Sequence, residues 1–363
     1  MNNIMELQKI NSEHESKLKA FAESRIGGRP ENQDSYGWAD TKFGYLVTVC
    51  DGMGGGPGGK TASAIAVNEI INGIKEASSD ETTANIIIKA IRRANMAIIE
   101  AGNDNPSLRG MGSTATVLLV SEQSAIVAHV GDSRVYQLRG ARKIFRTFDH
   151  SMVFEMVAQG VITEEQARLS AQSNVITRAL GIRPDVEVEL KELPYEKYDR
   201  FMLCTDGVHG SMPEQQLLKL ASNRKMKLGV VVDNIATTTD NIGRTTGGGH
   251  DNLTLAIVET NINSKLKPTM SKNVKMAFLS LMAALILSVV LNVALYVHAG
   301  KNDNTTMTKS ELQWKILAEQ RADSIKHLKQ ELNETCGEQV SAKNSLSNKT
   351  NTPTKKERTS VKH

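Results

Sequence analysis

Three apolar runs in this chain end on an aspartate beside a glycine: Cys50-Asp51-Gly52, Val130-Gly131-Asp132 and Thr205-Asp206-Gly207. A fourth acid, Asp251, stands between the glycines at 247–249 and an apolar run that begins at Leu253. A single aspartate at a strand end is most often a turn former. Four of them, three against glycine, have an electrostatic consequence of their own. Gathered carboxylates repel, and each raises the others' pKa unless a cation neutralises them. An all-oxygen set of this kind suits Mg²⁺ or Mn²⁺, which keep several of their waters. Two such ions about 3.5–4 Å apart deprotonate a bridging water and clamp a phosphoryl oxygen. The phosphate then needs an arginine, whose planar fork matches it, and Arg29 and Arg134 are available.

The first of these stretches carries a competing signal. Residues 54–61, GGGPGGKT, satisfy G-x-x-x-x-G-K-[ST], the loop that cradles nucleotide phosphates. A P-loop would use Lys60 and Thr61, with Asp206 ending its second strand. That reading leaves Asp132, Asp251 and Arg29 idle and puts Asp51-Gly52-Met53 between strand and loop. Hydrolysis of a phosphoester at a metal pair uses all of them.

Hydrophobic periodicity places the elements that must position these acids. Residues 46–50, 114–120, 125–130, 134–138, 201–204 and 253–258 read as short strands, with turns such as Ser121-Glu122 between them. Helices are expected at 60–77, 83–101, 152–180 with a break at Gly160, and 213–240. Strand clusters alternating with helix pairs favour an α+β architecture, a sandwich of antiparallel sheets covered by helices. Residues 1–20 read as a helical or frayed leader, 21–260 as the folded domain and 261–275 as a linker.

The chain has 363 residues, 40% of them hydrophobic and 23% charged, which suits one large domain with appendages. A net charge of +4 and 4% aromatics, with no basic face interleaved with aromatics, argue against nucleic-acid binding. Three cysteines cannot build a disulfide framework, and Cys50 and Cys204 lie inside apolar strands as reduced thiols. No secretory signal opens the chain. Residues 276–297, MAFLSLMAALILSVVLNVALYV, carry no charge over 22 positions, enough for a helix to span the roughly 30 Å hydrocarbon core. Lys265, Lys267, Lys272 and Lys275 crowd the side before it, which places the domain in the cytoplasm and the tail, 298–363, outside the cell membrane. Ser280, Ala284 and Ser288 form a small-residue ridge that could pair helices, and Cys336 alone in the tail could form an intermolecular disulfide, but a simple anchor that holds the domain at the membrane is the favoured reading. Residues 311–334 read as a charged helix, and those beyond about 337 as disordered.

Read together, the motifs resemble those of the metal-dependent protein serine/threonine phosphatases, the PPM or type-2C family, in its bacterial form. They run in order as Arg29 with Asn32-Gln33-Asp34; Asp51-Gly52-Met53-Gly54-Gly55; Gly112-Ser113-Thr114-Ala115; Gly131-Asp132-Ser133-Arg134; Asp149-His150-Ser151; Thr177-Arg178-Ala179-Leu180-Gly181; Thr205-Asp206-Gly207; and Asp251-Asn252. The likeness covers about residues 20–260 and leaves the apolar segment and tail unexplained. It implies a four-layer α-β-β-α sandwich and hydrolysis of phosphoserine and phosphothreonine in proteins by a metal-activated water, opposing Ser/Thr kinases. Phosphorylated proteins, and the kinases and their substrates, are the implied partners. Asp51 would bridge two Mn²⁺ or Mg²⁺ ions, with the Gly52 carbonyl on one and Asp206 and Asp251 on the other. Asp34 would act through bound water, and Asp132 with Asp206 would form a third, weaker site. Asp51 and Asp206 would thus carry the catalysis, Arg29 would bind the substrate phosphate, and 151–175 would be a mobile flap.

Two positions depart from the family pattern. Animal members assign a histidine after the Asp-Gly pair as general acid, whereas this chain has Met53, which cannot donate a proton. Gln33 stands where many members have glutamate and brings no charge to a metal. His150, His209 and His250 lie in sequence reach of the acids but are read as structural.

Overall fold

The computed structural model describes residues 8–9, 17–54, 57–267, 280, 284, 286–296, 313–321 and 326. The chain divides into two compact units, Met1–Thr269 and Met270–His363. In the first, β1 (Gln8–Lys9), β2 (Leu18–Arg25), β3 (Ser35–Thr41), β4 (Gly44–Cys50) and β5 (Gly52–Met53) precede helices α1 (Pro57–Glu76) and α2 (Thr83–Asp104). Then come β6 (Gly112–Ser113), β7 (Ala115–Val120), β8 (Ala125–Val130), β9 (Arg134–Arg139), β10 (Arg142–Arg146), α3 (Met152–Ala158) and α4 (Glu164–Arg168). The unit closes with β11 (Glu189–Leu193), β12 (Arg200–Cys204), α5 (Asp206–His209), α6 (Glu214–Ala221), α7 (Leu228–Thr245) and β13 (Leu253–Thr260).

Side chains of a strand point alternately to opposite faces, and here both faces are apolar. Tyr45, Val47 and Val49 of β4 face the other sheet, while Leu46 and Cys50 face α1 and α2. One sheet has the order β1-β2-β13-β12-β9-β10 and the other β11-β8-β7-β4-β3, with antiparallel neighbours throughout. Three apolar layers result: α1 and α2 on the second sheet, sheet on sheet, and the first sheet on α6 and α7.

Register then decides where the strands end. Arg25 pairs with Leu253, and Cys204 with both Leu255 and Arg134. In the other sheet Ser35 pairs with Cys50 and Ala115 with Val130. Asp34, Asp51, Asp132, Asp206 and Asp251 each lie within two residues of one of these positions, so all five reach the same end of the sandwich.

Local chemistry breaks the two long helices expected from periodicity. Between 152 and 180 only α3 and α4 are helical, and Thr163 restarts the chain with a capping box to Gln166. Beyond α4 the Ser173 amide donates to the Ser170 carbonyl (3.1 Å) and Leu180 is tied to Ser113, which rules out a continuing helix. The expected 213–240 helix is cut into α6 and α7 because the Lys225 amide turns onto Asn223 Oδ1 (2.9 Å) and Arg200 Nη1 takes the Ala221 carbonyl (2.6 Å). At the ends of the domain, β1 and the start of β2 fall within 1–20, and residues 261–266 pack back through amide bonds to Lys17, Glu122 and Gln123.

Most of the expected membrane span and tail lies outside the described residues. Residues 280, 284, 286–296, 313–321 and 326 are helical, and Cys336 is not described. Among the described residues, no helix is long and apolar enough to cross a membrane.

Ile91 of α2 is fully buried in the layer between the helix pair and its sheet. Ile91→Ala is expected to destabilise the domain by about 2–5 kcal/mol, read from urea unfolding, without displacing the strand ends.

Candidate active site

The five acids differ in how they meet water. Asp34 and Asp132 are 8% and 6% exposed, while Asp51, Asp206 and Asp251 are half-buried along a cleft of about 620 Å³ that Arg29 and Asn174 also line. Burial pushes Asp34 up to about 7; the Asp206 and Asp251 charges add to this, and hydrogen bonds from Thr254 and Thr205 oppose it. Asp206 is pushed up to about 6, chiefly by burial and then by Asp251. Asp51 is raised well above the carboxylate range by burial and by Asp34, Asp206, Asp132 and Asp251, and Asp132 by burial and then Asp206 and Asp149.

A frame of hydroxyls and amides holds them. The Asp51 amide donates to Thr114 Oγ1 (2.8 Å), and its carbonyl takes the Thr114 amide (2.8 Å) and the Ser113 hydroxyl (3.0 Å). Thr205 Oγ1 donates to Asp34 Oδ2 (2.9 Å). Asn252 joins three segments: its Oδ1 takes the Gln33 amide (2.8 Å), and its Nδ2 donates to the Ile26 (2.7 Å) and Glu31 (2.9 Å) carbonyls. Gly52 must be glycine, because a Cβ there would lie 2.0 Å from the Gly59 carbonyl oxygen and 2.6 Å from that of Gln33. The same argument holds at Gly207, where a Cβ would stand 2.0 Å from the Asn252 carbonyl oxygen.

This donor set fits divalent cations. Asp34 Oδ1 and Asp206 Oδ1 are buried without a hydrogen-bond partner, a costly state that a bound cation relieves. Mutual repulsion among acids of raised pKa is relieved the same way. Asp34 does not line the cleft, yet its charge is felt at Asp51, which suits action one shell out. A second group of metal-ligating side chains, His129, His150 and Glu189, does not fit. The Gly131 amide donates to His150 Nδ1 (3.1 Å), so a neutral ring carries its proton on Nε2, and Arg178 Nη1 stands 3.2 Å from that atom.

The structure sorts the other sequence candidates. Arg29 reaches the cleft, its Nη2 donating to Asp251 Oδ2 (2.9 Å). Arg134 does not serve phosphate: it is buried and spends Nε and Nη2 on both oxygens of Asp149 (2.7 and 2.6 Å). His209 donates to the Asp132 carbonyl (3.0 Å) and His250 to the Asp240 carboxylate through Oδ1 (2.9 Å), so one braces the backbone of an acid and the other is tied to α7. Lys60 of the P-loop pattern pairs with Glu31 (3.3 Å) on the surface of α1. Thr114, Thr205 and Asn252 stood in the quoted motifs without a role of their own, and Thr254 was not singled out at all.

Comparison with known proteins agrees with this geometry. The model of the family "Protein phosphatase 2C" matches residues 23–234. "Serine/threonine phosphatase stp" of Listeria welshimeri is 32% identical over 241 residues, covering 65% of this chain and 93% of the relative. The solved serine/threonine phosphatase of S. agalactiae is similar at 29% identity and a TM-score of 0.60, over 66% of this chain and 98% of that one. The catalytic domain of the phosphatase PstP, solved with two manganese ions, is similar at 28% identity and a TM-score of 0.56, over 67% and 98%. The chain belongs to the protein phosphatase 2C family. It is a metal-dependent protein serine/threonine phosphatase that works with Mn²⁺ or Mg²⁺.

The raised carboxyls set a stability profile for the metal-free domain. A carboxyl whose folded pKa exceeds its unfolded value stabilises the fold while protonated, and that contribution is lost as pH rises through the folded pKa. With Asp206 at about 6 and Asp34 at about 7, the metal-free domain is expected to melt lower at pH 8 than at pH 5. Mn²⁺ is expected to raise the melting temperature far more at pH 8, where protons no longer compete; calorimetry with and without chelator checks both.

Proposed function

We propose that hydrolysis of phosphoserine and phosphothreonine takes place in the cleft between Arg29 and the five aspartates, with Asp51 and Asp206 as its working acids. The observation that carries this assignment is the convergence of Asp51, Asp132, Asp206 and Asp251 on one cleft with an arginine at its edge. Asp51 lies in the charge field of all four other acids and is the residue suited to bridge two ions, with the Gly52 carbonyl beside it. Asp206 and Asp251 would hold one ion, and Asp132 with Asp206 would offer a third, weaker place. A divalent cation bound there supplies the charge that lowers the pKa of an attacking water and offsets the phosphoryl oxygens.

The chain's own residues do the rest. Arg29 is held by Asp251 through Nη2 and is 47% exposed at its side chain, which leaves guanidinium N–H groups for two phosphate oxygens. Met53 lines the cleft, and His209 and His250, which line its continuation past Asp132 and Asp251, have their Nε2 atoms engaged by the Asp132 carbonyl and Asp240, so the leaving alkoxide is assigned its proton from water. The segment 151–175 brings Asn174 to the cleft wall, where a substrate backbone passes. Gln33 contributes its backbone to the Asn252 junction rather than charge to an ion.

In this reading residues 276–297 anchor the enzyme in the cell membrane with its catalytic domain in the cytoplasm, where phosphoproteins and the Ser/Thr kinases that make them are its partners. An uncharged stretch of 22 residues preceded by lysines supports that placement. The small-residue ridge and Cys336 support a dimer.

Asp206→Ala is expected to lower kcat/KM for a phosphothreonine peptide by about 10³-fold with Mn²⁺ at saturation, and Arg29→Ala by about 10²-fold, mostly in KM. Gly52→Ala is expected to abolish Mn²⁺ binding in titration calorimetry and to lower the melting temperature, since its Cβ displaces the Gly59 and Gln33 backbone. Full activity in the Asp206 variant would refute the assignment.

A further inference from the structure

The end of the sandwich opposite the aspartates carries a surface that hydrolysis does not use. There Leu18 pairs with Thr260 and Arg200 with Leu138, and a groove of about 850 Å³ opens between the strand ends and the loop before α7. Its acids are already engaged. Glu259 takes Arg200 (2.7 Å) and Arg224 (2.6 Å), Glu122 takes Lys17 (2.7 Å) and Lys265 (3.1 Å), and Asp199 takes Arg139 (2.8 Å). Lys19, Lys197, Lys225 and Lys227 are exposed and pair with no carboxylate among the described residues, leaving net positive charge at this end. Beside them Tyr198, 51% exposed, lies under the Lys197 ammonium (4.8 Å to the ring centre). Its φ of 70° is the left-handed region that only strong local ties enforce; its amide donates to the Thr260 carbonyl (2.6 Å), and Arg224 holds its own carbonyl.

The chain leaves the domain at this same end. Amides of Lys265 and Leu266 are pinned to the Glu122 and Gln123 carbonyls (2.9 and 2.8 Å). From Lys267 the apolar segment at 276 is nine residues away, at most about 30 Å of extended chain. The aspartates stand at the far end of strands such as Leu18–Arg25, whose seven steps span roughly 23 Å.

We propose that this basic end is an interaction surface for an anionic lipid bilayer. Lys19, Lys197, Lys225 and Lys227 meet headgroup phosphates, Tyr198 enters the interfacial layer, and the catalytic cleft faces away from the membrane toward phosphoproteins. The proposal rests on reading 276–297 as the membrane anchor. An acidic protein would satisfy the same charges, but the chain leaves the domain at this end toward the segment read as the anchor, which favours lipid as the anionic surface it meets.

Residues 1–269 test it without the anchor, since the domain alone corresponds to 98% of the solved S. agalactiae chain and so folds by itself. Co-sedimentation uses phosphatidylcholine vesicles with and without phosphatidylglycerol. Binding is expected only with phosphatidylglycerol, to weaken with salt, and to fall about tenfold or more in Lys19→Glu/Lys197→Glu/Lys227→Glu. Activity on a small phosphoester and the melting temperature of that variant are expected to be unchanged. Should it unfold, Tyr198→Trp gives the same answer through a fluorescence blue shift on phosphatidylglycerol vesicles. No binding, equal binding to neutral vesicles, or an emission from the Tyr198→Trp protein that does not move overturns the proposal. Equal capture by polyglutamate overturns it in favour of an acidic protein. Alkaline carbonate extraction of the full chain reads the anchor separately: release would refute the anchor whatever the vesicles show.

Discussion

Like charge held together in a partly dry cleft is the constraint on which the rest of this molecule turns. Nothing in the fold neutralises the aspartates by itself: Arg29 offers one guanidinium, bound to Asp251 alone, and the other acids meet hydroxyls, amides and one another. The raised pKa of Asp34, Asp51, Asp132 and Asp206 is the mark first of their burial and then of that repulsion. Divalent cations turn the same arrangement from a cost into a binding site. Their charge is also what a phosphoester needs in order to be attacked by water.

Two apolar sheets supply the rigidity that keeps mutually repelling groups in place. Because both faces of the central strands are buried, a register slip would expose an entire apolar row. Register therefore fixes the strand ends, and the strand ends fix the acids. The last adjustment is local. Thr114, Thr205 and Asn252 bind backbone on either side of the cleft, and Gly52 and Gly207 let other backbone approach where a Cβ would collide.

Histidines stand near this site without working in it. His209 spends a ring nitrogen on the Asp132 carbonyl and His250 one on the Asp240 carboxylate, and Met53, which lines the cleft, has no proton to donate. At the opposite end of the sandwich the balance of charge reverses, since lysines there outnumber the carboxylates free to pair with them.

Much of this was legible in the residues themselves. Aspartate beside glycine at the end of an apolar run is a local signal, and it was enough to single out Asp51, Asp132, Asp206 and, through its glycine run, Asp251. Short apolar runs likewise gave β4, β7, β8, β12 and β13, because a strand buried on both faces is written in neighbouring residues. What lay beyond neighbours needed the fold. By residue type and neighbourhood Arg134 and Arg29 were both available for phosphate; the family resemblance pointed to Arg29, and packing ties Arg134 to Asp149 and brings Arg29 to the cleft. The helices expected at 152–180 and 213–240 were broken by hydrogen bonds to distant or polar partners, such as Arg200 on the Ala221 carbonyl, that hydrophobic period cannot register. Convergence of the acids depends on the pairing of strands far apart in the chain, and that pairing is a property of the two sheets, not of any segment within them.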